Sequence, residues 1–363
     1  MSYQPTSIQE ICQFVKEQSS IYCHGGSTKL ALAEDGPGLN MTALSGIIDY
    51  QPDEYVFTAY SGTALAEIND VLLQKGQFLP FDPIFVDDGA TLGGTIAANS
   101  CGPGRYRYGG VRDYILRISI VDGEGRPFSG GEKVVKNAAG FDLPKFFVGS
   151  RGKFGVITEA SFKVFPMPPA SLGIIVKLND LKTAHKAVVL LGRSPFDIHA
   201  LDLLPSASSG YQLFIRLSGL AKALQERSER IIGYLKQEIS SRTAISILGK
   251  DEDLSRWANM VSIKKARAEE CLFQVATTIQ TFQQLEEEPA IRDSVRRYCS
   301  AANLLFLYTS EPDRIKATLQ SFPLPFLILD GNAKIKQTQT ESALPMYSRL
   351  KQVFDPKNKF GDL

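Results

Sequence analysis

Histidine is scarce in this chain: His24, His185 and His199 are the only three in 363 residues. None has another histidine two or four positions away, so no imidazole cluster of the kind that holds a metal is written into a single element. Cysteine is also sparse. Cys12, Cys23, Cys101, Cys271 and Cys299 make an odd set with no CxxC pair. That excludes a disulfide framework and a zinc or iron–sulfur site made by this chain alone, and reads as reduced thiols in a cytosolic protein. No charge of one sign dominates: 40 Lys+Arg stand against 39 Asp+Glu. Without a basic excess or stripe, nucleic acid is excluded as the expected partner.

Long apolar runs are missing too. No stretch approaches the ~18 apolar residues of a membrane-crossing helix, and the opening Met1-Ser2-Tyr3-Gln4-Pro5 does not read as a signal peptide. The expectation is a cytoplasmic protein, touching the inner face of a membrane only peripherally and through partners. Two nucleotide signatures are also absent. No strand–GxGxxG–helix unit with a downstream acid occurs, and no GxxxxGK[ST] loop. What remains is ordinary globular material, 44% apolar and 22% charged, long enough for two domains with cores of their own.

The chain opens with apolar Ile8, Ile11, Cys12 and Val15 at helical spacing. A short strand at 21–23 then runs into His24-Gly25-Gly26-Ser27-Thr28-Lys29. Strands are expected at 46–50 and 55–59, and a helix over 64–75 with Leu65, Ile68, Leu72 and Leu73 on one face. Further strands are expected at 115–122, near 133–136, and through Ala160, Phe162 and Val164. Pro166, Pro168 and Pro169 then mark a boundary. Beyond it, strand 173–178, helix 181–191, strands 198–204 and 211–217 and helix 222–237 follow the ferredoxin-like grammar. Residues 273–329 repeat it, and a helix at 344–353 precedes the tail.

Glycine is what the chain spends most deliberately. One block is Gly25-Gly26-Ser27-Thr28. A second runs Thr91-Leu92-Gly93-Gly94-Thr95-Ile96-Ala97-Ala98-Asn99, then Cys101-Gly102-Pro103-Gly104 and Tyr108-Gly109-Gly110. A third lies at Asn137-Ala138-Ala139-Gly140-Phe141-Asp142-Leu143 and Gly149-Ser150-Arg151-Gly152, ending in Gly155-Val156-Ile157-Thr158. Backbone amides can hold a pyrophosphate with little cationic help if the backbone comes close, which glycine permits. Taken singly, such glycines would equally serve turns in a β-rich domain.

Taken in order, the blocks resemble the FAD-binding domain of the vanillyl-alcohol oxidase/p-cresol methylhydroxylase superfamily. Residues 138–143 and 148–152 look like its D-2-hydroxyacid dehydrogenase branch, with the nearest likeness to E-type FAD-binding subunits of glycolate oxidase. The resemblance implies an α+β chain: a two-subdomain FAD-binding domain of the p-cresol methylhydroxylase type over 1–168, a ferredoxin-like α+β cap over 169–340, and a C-terminal helix and tail, 341–363, returning to the first domain. It implies FAD on Gly25, Gly26, Ser27, Thr28, Lys29, Thr91, Gly93, Gly94 and Thr95. Pro80, Asp82, Ala98, Asn99, Gly102, Gly109, Gly155 and Ile157 would line the rest of the cofactor. Asp113 would brace a loop, and Arg105, Arg107 and Arg112 are candidate phosphate neighbours.

Some relatives attach FAD covalently through a histidine after the first glycine loop. Ser27 stands there here, so non-covalent FAD is expected. Catalytic relatives carry clustered histidines in the second domain, and this chain does not. No catalytic residue and no metal ligand is therefore assigned; Lys264, Lys265 and Arg267 are candidate carboxylate binders. The implied function is an FAD subunit of a complex oxidising glycolate or another small D-2-hydroxy acid, with a sister FAD subunit and an iron–sulfur subunit. The alternatives are a stand-alone FAD oxidoreductase for another alcohol or acid, and a catalytically quiet assembly or electron-relay subunit.

Overall fold

In the computed structural model, which describes residues 2–29, 36–132, 142–206, 210–322, 324–331 and 344–362, the first apolar repeat forms the helix Ile8–Glu17. Ser7 caps it, its hydroxyl accepting the Glu10 N–H. Ile11 and Val15, one turn apart, are fully buried. They join Ile21, Leu39, Met41, Leu44, Val121, Val156 and Phe360 in one apolar cluster. That cluster gathers the first helix, the short parallel pair Tyr22–His24 and Gly38–Asn40, and the tail.

The chain divides into two compact units. The first takes residues 1–101, 109–167 and 341–363; the second takes 102–108 and 168–340. The division falls at the proline cluster. It also assigns 102–108, inside the second glycine block, to the second unit. There the Arg107 guanidinium pairs with Asp197 at 2.9 Å and donates to Ser218 Oγ at 3.2 Å.

The first unit carries a five-stranded antiparallel sheet, ordered Ile47–Gln51, Val56–Tyr60, Val156–Lys163, Ile115–Val121, Pro127–Gly131. Val156–Lys163 is its centre, so Ala160, Phe162 and even Ser161 are buried. Thr58 and Ser161 satisfy each other across the sheet at 2.8 Å. The helix expected over 64–75 is Leu65–Leu73. Leu65, Ile68 and Leu72 are buried, but Leu73 is 57% exposed, because it falls on the flank of the apolar stripe. The strand paired to Ile115–Val121 is Pro127–Gly131. The strand expected near 133–136 and the start of the third glycine block lie outside the described residues. The tail is anchored through Asp355, which accepts the Lys359 and Phe360 N–H groups, each at 2.9 Å, and pairs with buried Lys351 at 2.8 Å.

The second unit is built on an eight-stranded sheet. Its order is Ile245–Ile247, Ala170–Leu178, Tyr211–Gly219, Ala200–Pro205, Val295–Cys299, Leu304–Thr309, Cys271–Ala276, Phe326–Asp330. In each half the chain runs strand, helix, strand, strand, helix, strand. The halves meet edge to edge where Leu203 pairs with Tyr298.

Candidate functional site

The strand Tyr22–His24 delivers the chain into the turn at 25–28, where Ser27 adopts a left-handed φ of 51°. This turn lies hard against the segment 89–94. A Cβ on Gly26 would stand 1.8 Å from the Gly89 carbonyl oxygen, and one on Gly25 would stand 2.2 Å from Thr91 Oγ1. No side chain fits at either position. Thr91 in turn caps the helix Leu92–Ala98, its hydroxyl accepting the Gly94 N–H at 3.3 Å. Gly93 donates to the Ser61 carbonyl at 2.7 Å, and a Cβ there would meet Ser61 Cβ at 2.7 Å. A third wall comes from residues 151–157. Arg151 N–H donates to the Ala97 carbonyl at 2.9 Å, which ties that wall to the helix.

These walls bound one cleft. Of the residues expected from the sequence, Gly25, Gly26, Ser27, Thr28, Lys29, Thr91, Gly93, Gly94, Gly155 and Ile157 line it. Pro80, Asp82, Thr95, Ala98, Asn99, Gly102 and Gly109 do not. Thr95 and Ala98 are buried beneath the cleft-lining turn of their helix. Asn99 closes that helix in a left-handed conformation. Pro80 and Asp82 sit in a buried turn. Gly102 belongs to the second unit. Gly109 packs on Asp113, which braces the turn by accepting the Gly110 N–H at 2.7 Å. Arg107 serves its ion pair with Asp197 rather than the cleft, and neither Arg105 nor Arg112 lines it.

The lining also includes Ala97, Arg151 and Gly152 from the glycine blocks, and Tyr22, Cys23, Met41 and Ser61, which the sequence marks for no cofactor role. Arg151 brings positive charge. Burial pulls its guanidinium below its ordinary value, and it too is left-handed, with φ 56°. Lys29 is buried, donating to Thr28 Oγ1 at 3.2 Å and lying 5.6 Å from the Phe85 ring. Burial pushes the Cys23 thiol up to about 12, so it stays protonated. His24 is held below its ordinary value by burial. One ring nitrogen faces Ser27 Oγ at 3.1 Å and the other Ser2 Oγ at 3.0 Å. Tyr22 stacks on it at 5.1 Å.

One atom tests whether a ligand fits. Ser61 Oγ is buried in the cleft wall and, among the described residues, has no hydrogen-bond partner. A buried hydroxyl left unpaired costs ~1–3 kcal/mol, which a ligand with phosphate or hydroxyl oxygens would recover. The consecutive amides of the 25–28 turn offer donors to the same oxygens, and the wall at Gly93 and Gly94, whose own amides are engaged by Ser61 and Thr91, leaves room for them. A dinucleotide fits this donor set.

Comparison with known proteins agrees. A family model described as an FAD binding domain matches residues 3–130. Glycolate oxidase subunit GlcE of Escherichia coli (strain K12) is 34% identical over 244 residues, 65% of this chain and 68% of GlcE. The chain belongs to the FAD-binding family of the p-cresol methylhydroxylase type. Within this family, glycolate oxidase subunit GlcD of Bacillus subtilis (strain 168) is 26% identical over 66% of this chain and half of GlcD's own length. Among solved structures, a chitooligosaccharide oxidase superposes with a TM-score of 0.70 at 16% identity, covering 99% of this chain and 90% of the oxidase. That likeness shares the fold.

Among the described residues no helix is long and apolar enough to cross a membrane. Two histidines lie outside the cleft. His185 is on the helix Leu181–Gly192, its ring parallel to Phe282. His199 is buried in the second unit between the edges of Tyr108 and Trp257, with Nδ1 2.8 Å from Ser218 Oγ. Burial, and then the charges of Arg216 and Arg107, pull it down to about 3.

Proposed function

We propose that this chain is an FAD-binding subunit of a complex that oxidises glycolate, or a similar small D-2-hydroxy acid, to the 2-oxo acid. The observation that carries the reading is the single cleft in which the turn at 25–29, the Thr91–Gly94 helix start and the Gly155–Ile157 strand start meet around the unpaired Ser61 hydroxyl. Gly25, Gly26, Ser27 and Thr28 would hold the pyrophosphate through backbone amides, Gly93 and Gly94 would let it approach closely, and Ser61 and Thr91 would add hydroxyls. Arg151 and Lys29 would balance its charge. Tyr22, Met41 and Ile157 would shield the apolar parts from water. When bound, the flavin supplies a two-electron acceptor for substrate oxidation. Attachment is non-covalent: both ring nitrogens of His24 are engaged by serines, and Cys101 is fully buried.

The same reading assigns substrate oxidation mainly to a sister FAD subunit, with this chain relaying electrons toward an iron–sulfur subunit. Removing the hydroxyl proton of a 2-hydroxy acid calls for a base with a pKa near neutrality. His199, at about 3, is far too weak a base, and His24 is held below its ordinary value inside a serine cage. The test is anaerobic glycolate addition to the FAD-loaded chain, alone and with its partners. The expected result is flavin bleaching only with the partners present. Robust turnover by the chain alone would mean a stand-alone oxidoreductase.

A further inference from the structure

The strand Val295–Cys299 presents two chemically different faces. Arg296 and Tyr298 turn toward the buried Glu286. The guanidinium donates twice at 2.6 Å, and the phenol donates once at 2.8 Å. Arg297, by strand alternation, points to the opposite face. There it lines a cavity floored by Phe306 and Tyr308 and walled by residues 259–270.

That wall is fixed in place. Tyr308 Oη donates to the Lys264 carbonyl at 2.7 Å, and the Ala266 N–H donates to Asp330 Oδ2 at 2.9 Å. The two bonds hold Lys264, Lys265 and Arg267 along the rim, all three exposed. Arg297 itself is nearly covered, with 14% of its side chain exposed. Its Nε stands 3.0 Å from Cys299 Sγ and 3.4 Å from an Asp202 oxygen. Its Nη2 is buried with no hydrogen-bond partner among the described residues. The lining thus carries four cations, Lys264, Lys265, Arg267 and Arg297, against one carboxylate, Glu270. Glu270 is itself engaged by the Arg267 N–H at 3.2 Å.

We propose that this cavity binds a small anion carrying two or more negative charges, as di- and tricarboxylates and phosphate esters do. A buried guanidinium with an unsatisfied donor favours a planar or tetrahedral oxyanion. Three further cations on a pinned rim favour a ligand with more than one charged group. The inference concerns the second unit alone and does not depend on the flavin reading.

The experiment is isothermal titration of the full FAD-loaded chain with citrate, inorganic pyrophosphate and acetate. One saturable site is expected for citrate or pyrophosphate, weakening as salt is added, with acetate bound at least about tenfold more weakly. Binding of citrate alone identifies a carboxylate site, and binding of pyrophosphate alone a phosphate site. The triple variant Lys264→Gln, Lys265→Gln, Arg267→Gln, confined to exposed side chains, is expected to keep the ligand-free Tm and lose about tenfold or more in affinity. Arg297→Lys, which keeps a cation beside Asp202 but removes the guanidinium fork, is expected to weaken binding as well. Absence of saturable binding by both polyanions, or wild-type affinity in a folded triple variant, would overturn the proposal.

Discussion

At the scale of single residues, the site rests on positions where a side chain is impossible and on one where a partner is missing. Gly26→Ala places a methyl group 1.8 Å from a backbone oxygen, so the turn must move. Overpacking of this kind costs ~1–3 kcal/mol, and the expected result is a lower Tm together with loss of bound flavin; full flavin content would contradict the assignment of this turn. Ser61→Ala tests the opposite case. Its hydroxyl has no partner among the described residues, so stability without flavin should hold or rise, while FAD affinity falls about fivefold for one lost hydrogen bond of ~1 kcal/mol. Equal FAD affinity in titrations of the two proteins would remove Ser61 from the site. His199 carries the pH prediction. Its ring titrates at about 3 in the folded chain against 6.5 ordinarily. Between these values the unfolded chain binds a proton that the native chain does not, so stability falls as pH drops through that window and is unaffected above it. His199→Asn should flatten Tm against pH over that range, and an unchanged slope would refute the buried, neutral imidazole. Gly25, Gly26, Gly93 and Gly94 stand out in the sequence because close approach demands that residue type, whereas Gly102 and Gly109, equally prominent there, do not line the cleft. Ser61 does not stand out, because it reaches the cleft only through long-range packing and looks like an ordinary surface-type residue in sequence, and Arg151, though inside the third glycine block, carries no sign of its role.

At the scale of elements, periodicity located most helices and strands but not which of their residues are covered. The helix Leu65–Leu73 shows the limit. Leu65, Ile68 and Leu72 repeat every three or four residues, whereas Leu73, eight positions after Leu65, lies about 80° around the axis from it and is exposed. Hydrophobicity alone could not separate them. The short helices Leu92–Ala98, Arg105–Tyr108 and Val111–Tyr114 were hidden among glycines, since local propensity there disfavours helix. In the second unit the alternating elements were readable, but not the polar joint inside them. Glu286, on the helix Ile279–Glu287, receives Tyr211, Arg296 and Tyr298. Its side chain is fully buried, and the Arg296 side chain is 8% exposed. Breaking one partner of a buried pair typically costs ~3–5 kcal/mol. Glu286→Gln is therefore expected to lower unfolding free energy by about that amount in denaturant titration, and a loss below about 1 kcal/mol would show the pair to be solvated.

At the scale of the molecule, the two compact units part between residues 167 and 168, inside the proline cluster, where three prolines within four residues interrupt any continuous element. The tail also groups with the first unit. The physical basis is Asp355, which takes two backbone amides and the Lys351 ammonium and so ties residues 351–360 together in the first unit. What the sequence concealed is that 102–108 belongs with the second unit, since its glycines and proline look continuous with the cofactor block on either side. The identity of the cofactor is the claim on which the rest depends. It is tested most directly by the visible absorption spectrum of the purified chain after addition of excess FAD and removal of the unbound fraction. The account predicts a flavin band corresponding to one FAD per chain, released into the supernatant when the protein is precipitated with acid. A colourless protein that retains no FAD, or a flavin that stays with the precipitate, would contradict it.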